Sequence, residues 1–483
     1  MPETSFFSDL EALEAAARQL EVPQDQREAW TEQVLQQAFH FLQNIDDFPG
    51  YFPGDPDLSF DLEKAPLPMQ QILAEYDKQV IRKGISAATG RHMGYIPGGG
   101  LYASALADFM VDITNEYGGI YFGSPGAVQM EHKLLDWMKE VFGFPPSSVG
   151  NLPSGGSVAN LIALTAARDK YAIKNERITQ SVIYLSAHVH HCIQKALRII
   201  GLEDVQIREI PLDESFKLRT DALRDAITKD KQAGLNPFLV IASAGTTDTG
   251  AIDPLEEIGM IARSEGLWYH IDAAYGGFFI LVDKLKAKFQ GIEMADSLVI
   301  DPHKSMFLPY GTAGVLVKDR EAMFHSHHYT AQYMQDALHP DLPVNPADVS
   351  PELTKHFRAF RMWLPMLLHG LEPFKACLEE KTELIRYFRQ GLIERGFEVG
   401  PDPDLSVSFF WYPAKQTDPD IYNEALQQAI YQDGEVFLSS SRVDGRYVTR
   451  IALLSFRTHK ADIDRALAMI DRIQTDLAGR DLQ

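Results

Sequence analysis

The stretch "FLVIASAGTTDTGAIDPLEEIGMIARSEGLWYHIDAAY", residues 238–275, predicts the fold class of the chain. It begins and ends with short, almost continuously apolar runs, which are typical of strands buried on both faces. Between them lies a helix signature, with Pro254 near its start, acidic residues in its first turn and Gly266 after its end. A strand, a helix and a second strand in succession indicate an α/β domain with a mostly parallel sheet.

Further apolar runs extend this pattern along the chain. We interpret three of them as strands of the same sheet: "SVIYLSA" (181–187), "SLVID" (297–301) and "AGVLVKD" (313–319). Later in the chain, "LSVSFFWYP" (405–413) and "RYVTRIALLS" (446–455) alternate with charged helices. We therefore predict an N-terminal helical arm over residues 1–90, a large α/β domain over 91–372 and a small α+β domain over 373–483.

Composition argues against several classes of function. The 483 residues include 45 Lys or Arg and 67 Asp or Glu, a formal net charge of −22, and no basic stripe suggests a nucleic-acid partner. We expect no membrane span, because no stretch approaches 18 uncharged apolar residues. The N-terminus lacks the features of a targeting peptide, and only Cys192 and Cys377 are present, so we expect a cytoplasmic protein without a disulfide framework.

Polar and ionisable residues gather where the predicted strands end. Thr246 and Thr247 follow one strand, Asp272 closes the next, and His303 with Lys304 follows a third. The first predicted strand is followed by His188, His190 and His191. Since ligands of open α/β sheets bind at the carboxyl ends of the strands, we predict a site at this edge.

Lys304 lies in "DPHKSMFLPYG", residues 301–311, at the end of an apolar run where a lysine is normally a misfit. Its stem either crosses the apolar surface so that the amine reaches water, or the amine is held in a cleft for chemistry. For the second case we expect a confined, cationic site to lower its pKa.

Upstream, Ser154, Gly155, Gly156 and Ser157 lie just before a predicted helix. Small residues at a helix N-terminus leave backbone N–H groups free to bind an anion such as a phosphate, and serine hydroxyls add donors. A serine-capped turn is the plainer interpretation. The pattern is neither a P-loop nor a dinucleotide fingerprint, so nucleotide binding is not implied.

A phosphate site, a carboxylate at a strand end and a lysine after the next strand are together the parts that hold pyridoxal phosphate. Five motifs carry a resemblance to the group II pyridoxal-phosphate-dependent amino-acid decarboxylases, which act on aromatic amino acids, glutamate or histidine: "PSGGSVAN" (153–160), "AHVHHCIQKA" (187–196), "AGTTDTGAIDP" (244–254), "HIDAAYGG" (270–277) and "DPHKSM" (301–306). The resemblance implies fold type I with a seven-stranded, mostly parallel sheet, and a homodimer whose subunits share the active site. It also implies decarboxylation of an L-amino acid, with an aromatic one favoured, to an amine and carbon dioxide.

The resemblance also implies roles for particular residues. Lys304 would form the Schiff base with the cofactor, Asp272 would pair with its ring nitrogen and His190 would stack on one face of the ring. Ala274, two residues after Asp272 and on the same strand face, would touch the other. The remaining implied cofactor contacts are Gly155, Gly156, Ser157, Thr246 and His303.

One departure from the family concerns the proton donor. The family commonly uses a loop tyrosine after the lysine strand, and the corresponding place here falls near Pro346. The alternatives are Tyr329, Tyr333, His339 and His303. The departure leaves an aldehyde-forming reaction open, and aminotransferase or carbon–carbon lyase chemistry on the same scaffold also remains open.

Substrate residues are implied only by alignment with the family. They are His92, Tyr95, Gly98, Tyr333 and Arg450, where Arg450 is interpreted either as a carboxylate-binding residue or as a structural ion-pair partner. The glycines that follow Tyr95 either make room for a large side chain or shape a turn. We predict no metal site, because the histidines of "HSHHY" (325–329) lack the spacing of zinc ligands.

Overall fold

A computed structural model of the chain describes residues 3–58, 66–329 and 343–478. Its N-terminal part contains helices α1 (Glu3–Ala17), α2 (Gln24–Gln43) and α3 (Met69–Tyr76), and the antiparallel pair β1 (Tyr51–Phe52) and β2 (Gly84–Ile85). Helices α2 and α3 bury none of their residues, so they form no hydrophobic core together.

A seven-stranded sheet lies at the centre of the large domain, in the order β3-β9-β8-β7-β6-β4-β5. Its strands are β3 (Val149–Asn151), β4 (Ser181–Ser186), β5 (Gln206–Ile210), β6 (Asn236–Ser243), β7 (Trp268–Asp272), β8 (Ser297–Ile300) and β9 (Gly314–Val317). The five strands from β4 to β8 pair in parallel, whereas β9 runs antiparallel to β8 and β3 antiparallel to β9. The predicted α/β class with a mostly parallel seven-stranded sheet is confirmed.

Helices cover both faces of this sheet. They are α4 (Tyr102–Thr114), α5 (Pro125–Phe142), α6 (Gly156–Lys170), α7 (Arg177–Gln180), α8 (Cys192–Ile199), α9 (Thr220–Gln232), α10 (Leu255–Glu265), α11 (Pro302–Ser305), α12 (Arg320–His327) and α13 (Ala359–His369). Alternate strand residues enter two separate cores, with Tyr184 and Ile271 in one and Ile183 and Val299 in the other. Burial on both faces explains why these strands are almost continuously apolar.

The small domain is an antiparallel sheet, in the order β10-β11-β13-β12, with helices packed on it. It contains α14 (Glu372–Glu394), β10 (Glu398–Val399), β11 (Val407–Trp411), α15 (Pro419–Asp433), β12 (Ser439–Val443), β13 (Arg446–Ala452) and α16 (Lys460–Ala478). Our sequence analysis does not find β12, whose sequence "SSSRV" has no apolar run. Its backbone pairing with β13 makes it a strand in spite of that composition.

Residues 91–93 join the small domain, although they stand at the start of the predicted large domain. The Met93 side chain lies in the small domain's core, and the Met93 N–H donates to Phe437 O at 2.9 Å. Ala452 N–H in turn donates to Met93 O at 2.8 Å. The predicted bounds of the three domains stay predictions.

Within the described residues, no helix is both long and apolar enough to cross a membrane. The cytoplasmic location stays a prediction.

The described histidines of "HSHHY" belong to no cluster of side chains that could hold a metal ion. His328 Nδ1 lies 3.0 Å from Asp348 Oδ1 instead.

A buried ion pair fastens the segment after residue 343 to the edge of the large sheet. Lys355 Nζ lies 2.5 Å from Glu131 Oε1 and 3.0 Å from Asn151 Oδ1, and the Lys355 side chain is fully buried. Asn151 Nδ2 donates to Pro346 O at 2.8 Å, while Leu152 N–H donates to Glu131 Oε1 at 3.3 Å. The pair therefore fixes the backbone just before the Gly/Ser turn.

We expect Lys355→Met to destabilise the chain by about 3–5 kcal/mol, because the Glu131 carboxylate remains buried without its cation. Urea unfolding followed by tryptophan fluorescence measures the loss. Adding Glu131→Gln should restore most of it, since the amide still accepts from Leu152. Lys460→Met, at an exposed pair with Asp464, is the control and should leave the unfolding midpoint unchanged. An equal effect of Lys355→Met and Lys460→Met would refute this account.

Candidate active site

A cavity of about 370 Å³ opens at the carboxyl ends of β4, β6, β7 and β8. Its lining includes every predicted cofactor contact: Gly155, Gly156, Ser157, His190, Thr246, Asp272, Ala274, His303 and Lys304. These residues are spread over about 150 positions of sequence, and parallel pairing of the strands brings them to one edge of the sheet.

Lys304 lies in the single turn of α11, directly after β8. Its Nζ is 3.1 Å from Asp301 Oδ2, and one quarter of its side chain is exposed to the cavity. Burial opposes the ammonium form, but attraction to Asp301 and Asp272 outweighs it and raises the pKa of Lys304 above its ordinary value. The expected lowering of this pKa is wrong for the chain by itself, because two carboxylates face the amine.

Asp272 is the last residue of β7 and is only 8% exposed. Its Oδ1 accepts from Ala274 N–H at 3.0 Å, and its Oδ2 accepts from Asn160 Nδ2 at 3.3 Å. Ala274 lies beyond the end of β7, in the turn that follows, so its expected place on the strand is wrong. It still borders the cavity, beside the carboxylate.

The structure distinguishes the three histidines after β4. His190 lines the cavity, and its Nδ1 accepts from Cys192 N–H at 3.3 Å. Burial lowers the pKa of His190, which favours a neutral imidazole. His188 also borders the cavity but stacks on Phe216, with ring centroids 5.4 Å apart, and His191 is exposed.

The Gly/Ser turn leads into the N-terminus of α6, which begins at Gly156. A Cβ on Gly156 would lie 2.8 Å from Asp301 Oδ2, so only glycine fits between helix and carboxylate. His303 Nδ1–H donates to Thr312 O at 2.6 Å. The other ring nitrogen, Nε2, lies 3.7 Å from Asp301 Oδ2. The Thr246 side chain is buried, and its hydroxyl oxygen lies 2.7 Å from the hydroxyl oxygen of Thr249.

The described members of the implied substrate set, His92, Tyr95, Gly98 and Arg450, are not among the residues that line this cavity. Arg450 is 3% exposed and donates to Gly94 O at 2.6 Å, Thr247 O at 2.8 Å and Ser439 Oγ at 3.1 Å. A substituent on Gly98 would lie 2.3 Å from His303 O, so this glycine permits close backbone packing on the lysine turn.

His92 is buried, and burial lowers its pKa to about 4, while Tyr95 is 60% exposed. Both rings pack edge-on against Phe437 of the small domain. Tyr333 and His339 lie outside the described residues. That His92, Tyr95, Gly98, Tyr333 and Arg450 bind substrate stays a prediction.

Comparison with known proteins identifies the family. The pyridoxal-dependent decarboxylase conserved domain matches residues 53–413, well over half of the chain. The chain belongs to this family. This decarboxylase is 31% identical over 392 residues to an aromatic-L-amino-acid decarboxylase of Bacillus atrophaeus, covering 80% of this chain and 81% of that one. It is 27% identical over 450 residues to a phenylacetaldehyde synthase of Arabidopsis thaliana, covering 89% and 92%.

Solved structures agree on the fold. A crystal structure of Catharanthus roseus tryptophan decarboxylase in complex with L-tryptophan superposes with a TM-score of 0.87 at 21% identity, covering 94% of this chain and 99% of that one. The decarboxylase is therefore a fold type I, pyridoxal-phosphate-dependent amino-acid carboxy-lyase.

The cavity of the decarboxylase fits its cofactor chemically. It offers an amine, a carboxylate and a helix N-terminus whose first N–H groups lack partners within the helix. Two buried polar atoms on its wall, His188 Nδ1 and Asp301 Oδ1, have no hydrogen-bond partner among the described residues. Buried polar atoms without partners are rare in proteins and are expected where a ligand binds.

Several cavity residues of the decarboxylase are missing from our sequence-based assignment, among them Asn160, Asp301 and Tyr310. Asn160 lies one turn into α6, and its signal is an amide on an otherwise apolar stretch. Asp301 was overlooked because an aspartate before a proline at a helix start is an ordinary cap. Tyr310, which also borders the cavity, gives no signal in the sequence.

We expect Asp301→Asn to speed the uptake of pyridoxal phosphate by the apoenzyme at neutral pH. Removing the nearest carboxylate lowers the pKa of Lys304, so more of the amine is free to react. In the wild type, uptake should rise with pH by up to about tenfold per pH unit while the pH lies below that pKa. Stopped-flow absorbance measures the rate.

The pH profile of Asp301→Asn should be displaced to lower pH relative to the wild type. Asp283→Asn, at an exposed carboxylate outside the cavity, is the matched control and should follow the wild type. Identical profiles for all three proteins would show that Asp301 does not hold the proton on Lys304.

Proposed function

We propose that this decarboxylase converts an aromatic L-amino acid to its amine and carbon dioxide, with Lys304 as the residue that holds pyridoxal phosphate covalently. The observation that carries the proposal is that Lys304 and Asp272 open onto one cavity from adjacent strands, since Asp272 pairs in register with Val299 of β8. The similarity to an aromatic-L-amino-acid decarboxylase supports the aromatic substrate.

Pyridoxal phosphate, when bound, supplies a ring that withdraws electrons from the α-carbon of an amino acid. Asp272 would keep the ring nitrogen protonated, because a carboxylate beside a cation favours the charged pair. The first turn of α6 and Ser157 would hold the phosphate, and His190 would cover one face of the ring. Lys304 would release the cofactor to the incoming amine and hold its own proton beside Asp301.

The α-carbon that loses carbon dioxide has to gain a proton to give the amine. Pro346 is buried and its carbonyl accepts from Asn151, so this position supplies no donor. Tyr329 is 93% exposed and borders no part of the cavity. Several described residues that line the cavity carry transferable protons, among them His303, Lys304 and Tyr310. We favour Tyr310, which is 58% exposed and presents at the cavity a phenol that is protonated at neutral pH.

Aldehyde formation is the second candidate function. It is favoured by the lack of a tyrosine at Pro346 and by the similarity to phenylacetaldehyde synthases. An unprotonated α-carbon would be oxidised by dioxygen, which takes two electrons and is reduced to hydrogen peroxide. Water then adds to the oxidised carbon and supplies the aldehyde oxygen as ammonia is released. The two outcomes differ in whether the α-carbon is protonated before oxygen reaches it.

We expect tyrosine, tryptophan or phenylalanine to yield carbon dioxide and amine in equal amounts, measured together with aldehyde, keto acid and peroxide across a panel of L-amino acids. Lys304→Ala should lose the visible absorbance of the covalently held cofactor and all turnover. Keto acid without carbon dioxide, or activity in Lys304→Ala, would refute the proposal.

Tyr310→Phe should lower amine formation by on the order of 100-fold and raise the share of aldehyde, because the proton donor is lost. The same substitution at the exposed Tyr329 is the matched control and should leave the products unchanged. A normal ratio of amine to aldehyde in Tyr310→Phe would assign the proton to another group.

We also infer that the decarboxylase is a homodimer whose subunits share the site. Helices α4 and α13 pack together and expose apolar side chains to solvent: Tyr102, Leu106, Phe109, Met110, Ile113, Leu367 and Leu368. Ile113 is 68% and Leu367 69% exposed, and a contiguous apolar surface of this kind is typical of a subunit interface. A second copy of the chain would cover it.

We expect the pair of substitutions Ile113→Asp and Leu367→Asp to convert the dimer into monomers, since each places a charge in the covered surface. Sedimentation velocity measures the mass. Ile421→Asp, at an exposed apolar residue of the small domain, is the control and should remain dimeric. A monomeric wild type, or a dimeric double variant, would rule out this interface.

A further inference from the structure

A chain of buried polar side chains leads from Trp268 to Asp272. Trp268 Nε1 donates to Ser297 Oγ at 2.8 Å, and Ser297 Oγ lies 2.8 Å from His270 Nδ1. His270 Nε2 lies 2.7 Å from Asn160 Oδ1, and Asn160 Nδ2 donates to Asp272 Oδ2 at 3.3 Å. Ser297, His270 and Asn160 are completely buried.

The bonding pattern fixes the direction of this chain. Asn160 Nδ2 donates to Asp272 Oδ2 and to Gly156 O at 3.0 Å, both of which only accept, so the amide cannot turn over without opposing oxygens. Asn160 Oδ1 must then accept, which requires a proton on His270 Nε2. The hydroxyl of Ser297 donates to His270 Nδ1, and Trp268 donates to that hydroxyl.

His270 is held in its neutral form. Burial lowers its pKa to about 4, although attraction to Asp272 opposes this shift. With a single ring proton on Nε2, His270 has one donor and one acceptor, and both are used. Every donor in the chain thus points toward Asp272, and none of these polar side chains is left without a partner.

Asn160 also joins the two ends of the cofactor site. Asn160 lies one turn after Gly156 and donates to its carbonyl oxygen. It therefore belongs to the first turn of α6, which would hold the cofactor's phosphate. Asn160 occupies Oδ2 of Asp272, and the Ala274 N–H donates to Oδ1 of the same carboxylate. Charge-assisted hydrogen bonds to a buried carboxylate favour its ionised form and fix its rotamer.

We propose that Asn160, oriented by His270, is a positioning residue that holds Asp272 ionised and aimed at the ring nitrogen of pyridoxal phosphate. This inference rests on the role proposed above for Asp272. A purely structural role for Asn160 would affect stability alone, whereas the positioning role also affects the protonation of the ring nitrogen and the release of the cofactor.

The experiment compares holoenzymes loaded with pyridoxal phosphate labelled with ¹⁵N at the ring nitrogen. Asn160→Leu removes the donor at nearly constant volume, so the ¹⁵N shift should move toward that of the unprotonated ring. The cofactor should dissociate faster, and kcat should fall by on the order of 10- to 100-fold with little change in KM. His270→Phe keeps the Asn160 amide but removes the hydrogen bond that orients it. The ¹⁵N shift should therefore move in the same direction as in Asn160→Leu, by a smaller amount.

Asn423→Leu is the matched control, because Asn423 is also completely buried and bonds backbone atoms of Tyr412 and Pro419 in the small domain. It should lower the unfolding midpoint and leave both the ¹⁵N shift and cofactor release at wild-type values. If Asn160→Leu does not fold, His270→Phe decides the question on the same two measurements.

The outcomes separate this inference from the one it rests on. An unchanged ¹⁵N shift in Asp272→Asn would refute the role of Asp272 itself. A changed shift in Asp272→Asn with wild-type shifts and cofactor release in Asn160→Leu and His270→Phe would overturn the positioning role alone. Shifts ordered Asp272→Asn, Asn160→Leu and His270→Phe, from largest to smallest, would support both.

Discussion

Parallel pairing of β7 with β6 on one side and β8 on the other is the constraint on which the rest of this site depends. In-register pairing places Ser243, Asp272 and Val299 side by side, so the chain leaves all three strands at one edge. Apolar side chains fill most of both faces of the sheet, and ligands of such sheets bind at the edge where the strands end. The short helix α11, which follows β8, places Lys304 in the cavity at the same edge.

Electrostatic balance among the described residues of this cavity depends on the Lys304 ammonium group. Asp272 and Asp301 are almost completely buried, and burying carboxylates is costly unless they are paired and hydrogen-bonded. Lys304 offsets both, and its raised pKa is the counterpart of that attraction. Asp272 has additional support from the Ala274 N–H and Asn160, whereas Asp301 keeps one oxygen without a partner among the described residues.

The small domain contributes to the site through backbone packing. Arg450 of β13 bonds carbonyls of Gly94 and Thr247, which belong to the loops on either side of the domain junction. Gly98 lies against His303 O, where any side chain would displace the lysine turn. The segment from His92 to Gly98 therefore contacts both the small domain, through Met93, and the turn that carries Lys304, through Gly98.

Residue pattern by itself determined the α/β class and the gathering of polar residues where the strands end, because apolar runs, helix caps and strand-end residues are short-range features. The family and the individual cofactor contacts were implied by the resemblance of five motifs. Only the tertiary structure decided that His188 and His190 border the cavity whereas His191 is exposed, that Ala274 lies beyond the strand, that Lys304 has a raised pKa and that Asn160 reaches Asp272 across 112 positions. Distances and burial between segments remote in sequence set these properties, and no local pattern records them.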